Sequence, residues 1–356
     1  MIRFALLGCG RIARKHAEIL GSGQVEGAGL AGVCDIDPAR ARDFGERYAV
    51  PWFTDMNAMM TDLGDGVDVV SILTPSGSHS RHCIEMAAHG KHVVVEKPMA
   101  LTLPDADAMI RACDAASVKL FVVKQNRYNL PVQKLRTAVE EGRFGKLVLA
   151  TVRVRWCRTQ AYYDQDAWRG TWAQDGGVFS NQASHHVDLL EWMVGDVESV
   201  FAKSTTALVD IEAEDTGVVV VKFANGALGL IEATTAARPK DLEGSISILG
   251  EHGSVEIGGF AVNQMKTWNF ANPCAEDAEV VREYHENPPN VYGFGHVRYL
   301  QHVTDCIVSG SPALVDGLEG RKSLELISAI YESIETGREV FLRFSPRHGR
   351  LGRTGP

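Results

Sequence analysis

Short apolar runs alternate with amphipathic segments along the first third of the chain. The runs fall at Ile2–Leu7, Ala28–Cys34, Val67–Leu73, His92–Val95 and Leu120–Val123. Between them, apolar positions recur at helical spacing over Ile12–Leu20, Pro38–Tyr48, His79–His89 and Pro104–Ala116. Strands and helices alternating in this way form βαβ units and hence a parallel sheet. The pattern changes near Lys146. Segments with two-residue alternation then follow one another: Leu147–Trp156, Val197–Leu208, Gly217–Phe223, Ala227–Thr234, Ser245–Leu249 and Ser254–Ile257. In the first, Val148, Ala150, Val152, Val154 and Trp156 share one face, while Thr151, Arg153 and Arg155 share the other. One apolar face and one mixed face predict a large, open, mostly antiparallel sheet with helices on one side. Helical periodicity at Val132–Glu141, Gln182–Met193, Gly295–Val308 and Gly317–Thr336 supplies that cover. The expected chain is α/β, with one domain over residues 1–125, a second over 126–345 and a basic tail at 346–356.

Composition narrows the partners. The chain has 356 residues, more than one hydrophobic core usually serves, which agrees with two domains. A net charge of −9 argues against a nucleic-acid or anionic-membrane surface, so any anionic ligand needs a local cluster of cations. The seven cysteines form no C-x-x-C pair and no zinc-like spacing, and several sit in apolar runs, as buried thiols in a reducing compartment do. No apolar stretch approaches the ~20 residues of a membrane span. Ile2–Leu7 runs straight into glycines and is too short for a signal peptide. We expect a soluble, cytoplasmic protein.

Three places carry chemistry. Gly8-Cys9-Gly10-Arg11-Ile12-Ala13 is a G-x-G-x-x-A between a strand and a helix. Its glycines permit a tight turn and close approach of backbone amides to a pyrophosphate at the helix N-terminus. Asp35 ends the second strand, where a carboxylate accepts ribose hydroxyls and repels a 2′-phosphate, so NAD is favoured over NADP. The N-terminal domain is thus expected to be a Rossmann domain. A second loop, Thr74-Pro75-Ser76-Gly77-Ser78-His79, ends the next strand where ribose or nicotinamide would lie; His79 equally suits a plain first-turn position. The run Val93-Val94-Val95-Glu96-Lys97-Pro98 delivers a charged pair to the carboxyl end of a buried strand, where ligands of open α/β sheets bind. Further on, Trp168-Arg169 precedes Asp175-Gly176-Gly177 and a helical stretch that places Asn181, His185 and Asp188 at one-turn spacings. No third ligand accompanies His185, so no metal is expected there.

Taken together, the G-x-G-x-x-A, the E-K-P and the G-G-x(7)-H-x-x-D resemble the Gfo/Idh/MocA oxidoreductase family over nearly the whole chain. The resemblance implies a Rossmann domain followed by an α/β domain, and a nicotinamide-dependent oxidation of a sugar or cyclitol carbon. It matches Lys97 to the family's active-site lysine and His185 to its catalytic histidine. Position 181, usually Asp in that family, is Asn181 here. The segments Val122–Arg127, Glu214–Gly217, Leu242–Ile246 and Tyr292–His296 are similar to the WlbA-type subgroup, which oxidises the 3-hydroxyl of UDP-N-acetylglucosaminuronic acid with NAD in a lipopolysaccharide sugar pathway. Some of that subgroup are reoxidised by 2-oxoglutarate. Gly8, Gly10, Arg11, Ile12, Asp35, Thr74, Ser76, His79, Glu96, Lys97, Gln125, Trp168 and Arg169 are then the expected NAD contacts. Lys97, Asn126, Arg127, Arg158, Tyr163, Asn181 and His185 are the expected substrate contacts.

Chemistry agrees with this set. An alcohol is a very weak acid and yields hydride only as its proton leaves, which calls for a general base and a fixed cation beside the alkoxide. His185 suits the base and Lys97 the cation, and the reverse assignment stays open. A nucleotide-sugar acid is strongly anionic, and arginine forks such as Arg127, Arg158 and Arg169 grip carboxylate and phosphate in pairs of bonds. Arg169 equally suits the NAD pyrophosphate. The alternatives are a myo-inositol or aldose dehydrogenase, or a non-catalytic sugar or NAD sensor. The large sheet's second face carries too few charges to stay in water, which predicts a homo-oligomer; the resemblance implies a dimer or a tetramer, and a tetramer built through these sheets is the expectation.

Overall fold

The computed structural model describes residues 1–285 and 294–342, and the expected tail and Tyr292-Gly293 lie outside them. Six strands form the first sheet: β1 (Ile2–Leu7), β2 (Ala28–Cys34), β3 (Trp52–Phe53), β4 (Val69–Ile72), β5 (His92–Val95) and β6 (Leu120–Val122). All are parallel, in the order β3-β2-β1-β4-β5-β6. Helices α1 (Arg11–Gly21), α2 (Pro38–Tyr48), α3 (Met56–Leu63), α4 (His79–Ala88) and α5 (Leu103–Ala115) connect them. Because both faces are covered, Val93, Val94 and Val95 are all buried, which is why that run is apolar without alternation. The order reverses between β1 and β4, and this switch point opens a crevice at the strands' carboxyl ends.

After α6 (Leu130–Glu140), an eight-stranded sheet begins with β7 (Leu147–Arg155). Helices α7 (Gln160–Tyr163) and α8 (Ser184–Val194) separate it from β8 (Val197–Thr205), β9 (Thr216–Phe223), β10 (Leu228–Thr234), β11 (Glu243–Gly250), β12 (Gly253–Gly258) and β13 (Gln264–Phe270). The chain closes with α9 (Asp277–Glu283), α10 (Gly295–Ser309), α11 (Gly317–Thr336) and β14 (Val340–Phe341). Strand order is β13-β12-β11-β7-β10-β9-β8-β14, antiparallel except for the central β7–β10 pair. Alternation works as expected in β9, where Val219, Val221 and Phe223 are buried while Val218 and Val220 face outward.

Three expectations need correction. Val148 is 54% exposed rather than on the apolar face. Leu249 pairs with Leu149 and Gly250 with Leu147, so Val148 is the extra residue of a bulge and loses its place in the alternation. Helix α10 covers the parallel sheet, not the large one: Tyr299, Leu300 and Val303 pack with Phe4 and Leu6. Helix α8 begins at Ser184 rather than Gln182, which leaves Asn181 in the turn before it. Helix α11 joins the two units, with Leu324 in one core and Leu326, Ile327 and Ile330 in the other.

Candidate active site

The crevice is about 890 Å³ and runs from the glycine turn of the first sheet to the start of α8. Gly8 sits at φ +100°, and a Cβ there would lie 2.9 Å from the Leu73 carbonyl group, so only glycine lets β1 and β4 end this close together. A Cβ on Gly10 would meet no protein atom and would project into the crevice. Gly10 also precedes α1 without any side-chain cap, which leaves the first-turn amides available to an anion. Asp35 accepts from the Cys9 amide at 2.7 Å and the Asp37 amide at 2.8 Å, which fixes its carboxylate beside the glycine turn. This cradle fits a dinucleotide with an unphosphorylated ribose. The expected NAD contacts, from Gly8 to Arg169, all line this one crevice. His79 lines it as a brace between two loops, its ring nitrogens 2.8 Å from the Pro98 carbonyl oxygen and 2.9 Å from that of Thr74.

Lys97 and His185 meet at the far end. The Lys97 ammonium donates to the Asn181 carbonyl oxygen at 2.9 Å and to Asn181 Oδ1 at 3.0 Å. Burial, with Lys124 and Arg169 nearby, lowers its pKa, while Glu96 and Asp175 oppose the shift. The side-chain amide of Gln125 lies 2.9 Å from His185 Nε2, and Nδ1 has no partner. Burial first, then the positive charges of Lys97 and Lys124, push His185 well below its usual value, so the ring is neutral at neutral pH. A neutral imidazole beside an ammonium is a base and a cation side by side.

Behind Lys97, Glu96 is buried between two histidines. Its Oε1 lies 3.3 Å from His16 Nε2 and 3.8 Å from His296 Nε2, and its Oε2 accepts from the Lys97 amide at 3.1 Å. Burial alone would raise the Glu96 carboxyl, but the two histidines hold it well below the carboxylate range. Among the described residues, this trio has the proximity of a metal-ligand set. Its contacts make it a brace that fixes the backbone carrying Lys97. In the sequence, His16 reads as an ordinary core position of a helix, and His296 enters only as the end of the segment similar to the WlbA-type subgroup, with no role of its own.

A wall of stacked rings and guanidinium groups closes the crevice on the second-domain side. Arg169 lies 4.6 Å from the ring centres of both Tyr162 and Trp168, and Arg158 lies 5.3 Å from Trp156 and 5.4 Å from Tyr162. Arg11 reaches across to donate to Gln165 at 2.9 Å. Of the expected substrate contacts, Lys97, Arg158, Asn181 and His185 line the crevice; Asn126, Arg127 and Tyr163 do not. Arg127 is buried and donates twice to Asp188, at 2.8 Å each, and once to Glu319 at 3.1 Å. Asp188 therefore serves this brace instead of extending the His185 face. Asn126 is buried in the same short turn, Gln125–Tyr128. Tyr163 points inward to Thr235, with the hydroxyls 3.1 Å apart, while its neighbour Tyr162 faces the crevice. Successive helical residues differ by about 100°, so adjacent tyrosines in α7 cannot share a face.

Fold and crevice together define a dinucleotide-dependent dehydrogenase of the two-domain α/β type. The chain belongs to the Gfo/Idh/MocA oxidoreductase family: residues 2–124 match its NAD-binding Rossmann fold and residues 136–342 its C-terminal alpha/beta domain. It is an NAD-dependent sugar dehydrogenase. In structure it is similar to the WlbA dehydrogenase from Bordetella pertussis, solved in complex with NADH and UDP-GlcNAcA. The two are 44% identical with a TM-score of 0.92, over 97% of this chain and 98% of that one. The WlbA dehydrogenase from Chromobacterium violaceum, solved with the same two ligands, is 46% identical with a TM-score of 0.90, over 97% of each chain. Myo-inositol 2-dehydrogenase from Thermotoga maritima is 30% identical, over 96% of this chain and 98% of that one.

Proposed function

We propose that this protein oxidises the 3-hydroxyl of UDP-N-acetylglucosaminuronic acid, or a close UDP-linked N-acetylated hexuronic acid, to the 3-keto sugar. The observation that carries this is the 44–46% identity, over nearly the whole chain, to two dehydrogenases solved with NADH and UDP-GlcNAcA. Bound NAD supplies a hydride acceptor at its nicotinamide. His185 takes the hydroxyl proton, and its low pKa keeps it unprotonated for that task. Lys97 keeps two of its three donors on Asn181, and the third faces the alkoxide as its charge grows. Arg158, clamped by Asp241 at 2.9 Å, and Arg169 supply the local cations that an anionic substrate needs in an acidic protein.

The reading places the protein in the cytoplasm, in the making of a lipopolysaccharide sugar, with 2-oxoglutarate as the acceptor that regenerates NAD. It also places it in a homotetramer. On the outer face of the large sheet, Phe201 and Leu230 both stand opposite Val220, forming an exposed apolar stripe across three strands. Among the described residues, no helix is long and apolar enough to cross a membrane. The second reading is inositol oxidation, favoured by the Thermotoga maritima relative. The two separate in a steady-state comparison with NAD. Turnover of UDP-N-acetylglucosaminuronic acid at least about 100-fold more efficient than of UDP-N-acetylglucosamine or myo-inositol supports the first; the reverse order removes it. Sedimentation showing only monomer at micromolar concentration would contradict the tetramer.

A further inference from the structure

Among the described residues, the Lys97 amine forms no hydrogen bond or ion pair with a carboxylate side chain. It donates to the main-chain carbonyl oxygen of Asn181, which is fixed by the backbone, and to the side-chain amide oxygen of the same residue, which is not. An amide has a donor end and an acceptor end, so it holds a cation only if something fixes which end faces it. Asp175 does this. Asn181 Nδ2 donates to Asp175 Oδ1 at 2.5 Å, and the other carboxylate oxygen accepts from the Gly170 amide at 2.9 Å. A carboxylate only accepts and an ammonium only donates, so both ends of the amide are specified. Asp175 is 1% exposed, and the Gly176-Gly177 turn that follows carries the chain on to Asn181.

We infer that Asp175 is a positioning residue for the dehydrogenase reaction, acting through the Asn181 amide to hold Lys97 with one donor aimed into the crevice. The inference builds on the reading of Lys97 as the cation beside the alkoxide. It gives Asn181 a carboxylate partner one residue removed from the amine. The charges around the Lys97 amine are Glu96 on its own strand end, Asp175, and the cations of Lys124 and Arg169, with His185 across the crevice. Loss of the Asp175 charge therefore lets the amine lose its proton more readily.

The test uses Asp175→Asn, which keeps the shape, and Asn181→Ala. Trace acetylation of Lys97 against pH, read by mass spectrometry on the whole protein, needs no substrate. Asp175→Asn should lower the midpoint by about one unit. In turnover, Asp175→Asn should reduce kcat roughly tenfold and leave the NADH dissociation constant within about twofold. The same change made on top of Asn181→Ala should cost less than about twofold, because the intermediary is already gone. An unshifted Lys97 midpoint, an unchanged kcat, or equal losses with and without the Asn181 side chain would overturn the inference. A wild-type protein inert toward the UDP-sugar acid would overturn only the substrate reading, since the acetylation result stands without it.

Discussion

Asp188→Asn removes the charge at the centre of the brace under the active site. Asp188 and Arg127 are each about 97–98% buried at the side chain and share two 2.8 Å bonds, and the Lys124 amine, equally buried, lies 3.7 Å away. Burial pushes the Asp188 carboxyl up, but Arg127 and Lys124 outweigh it and hold the group below the usual carboxylate range. The stabilisation is therefore present above the unfolded pKa near 3.9 and is lost as pH falls through the folded value. At pH 7 the substitution takes from two buried cations the buried counter-ion they share, leaving Arg127 only the part-exposed Glu319, which costs about 3–5 kcal/mol. With an m-value near 3 kcal/mol/M, the urea midpoint falls by roughly 1–2 M. Tryptophan emission is a suitable probe, since Trp192 lies 4.7 Å from the Arg127 guanidinium. Glu319→Gln is the control: it removes the other partner of the same guanidinium, but one whose side chain is 27% exposed, and should cost less than about 1 kcal/mol. Equal midpoints for the two variants, or a loss below 1 kcal/mol for Asp188→Asn, would refute the reasoning.

Lys97→Met should abolish turnover while NADH binding, followed by fluorescence, stays within about threefold of the wild type; full activity would remove the lysine from the chemistry. Asp35→Ala should raise the KM for NAD roughly tenfold and narrow the preference over NADP, measured with both cofactors, because a ribose acceptor and a repulsive charge are lost together. His186 is fully buried against Trp156, and burial lowers its pKa to about 4. Its folded value lies below the unfolded one near 6.5, so its contribution is complete above pH 6.5 and lost as pH falls toward 4, about 3 kcal/mol in all. His186→Phe should flatten that part of the stability curve in urea titrations; parallel losses in variant and wild type would count against the assignment.

Five of the six strands of the first sheet were legible because every signal agreed: unbroken apolar runs, helical spacing between them, and a glycine turn with Asp35 at the next strand end; β3, only two residues long, and the helix α3 after it were not. Strand β13 was not, because Lys266 is the extra residue of a bulge there, so Met265 and Trp268 are buried three apart and the two-residue period disappears. Lys97 and His185 were legible as candidates from motif and chemistry. Arg127 misled, since an arginine beside an active-site turn reads the same whether it meets a substrate or Asp188 61 residues on. Long-range pairing of this kind leaves no local pattern. The same holds for His16, which reaches Glu96 across 80 residues of chain, and for Tyr162, whose face depends on where a four-residue helix begins.

The central claim is oxidation at the sugar's third carbon, and isotopic substitution there tests it most directly. UDP-N-acetylglucosaminuronic acid carrying deuterium at C3 is incubated with the protein and NAD, with 2-oxoglutarate in a parallel sample to turn over any reduced cofactor held in the site. The account predicts a product that has lost the label and is lighter by one deuterium and one proton, with the label in the reduced nicotinamide or in the reduced oxo acid. Unlabelled NADH, a product that keeps its deuterium, or no product in either sample would contradict it.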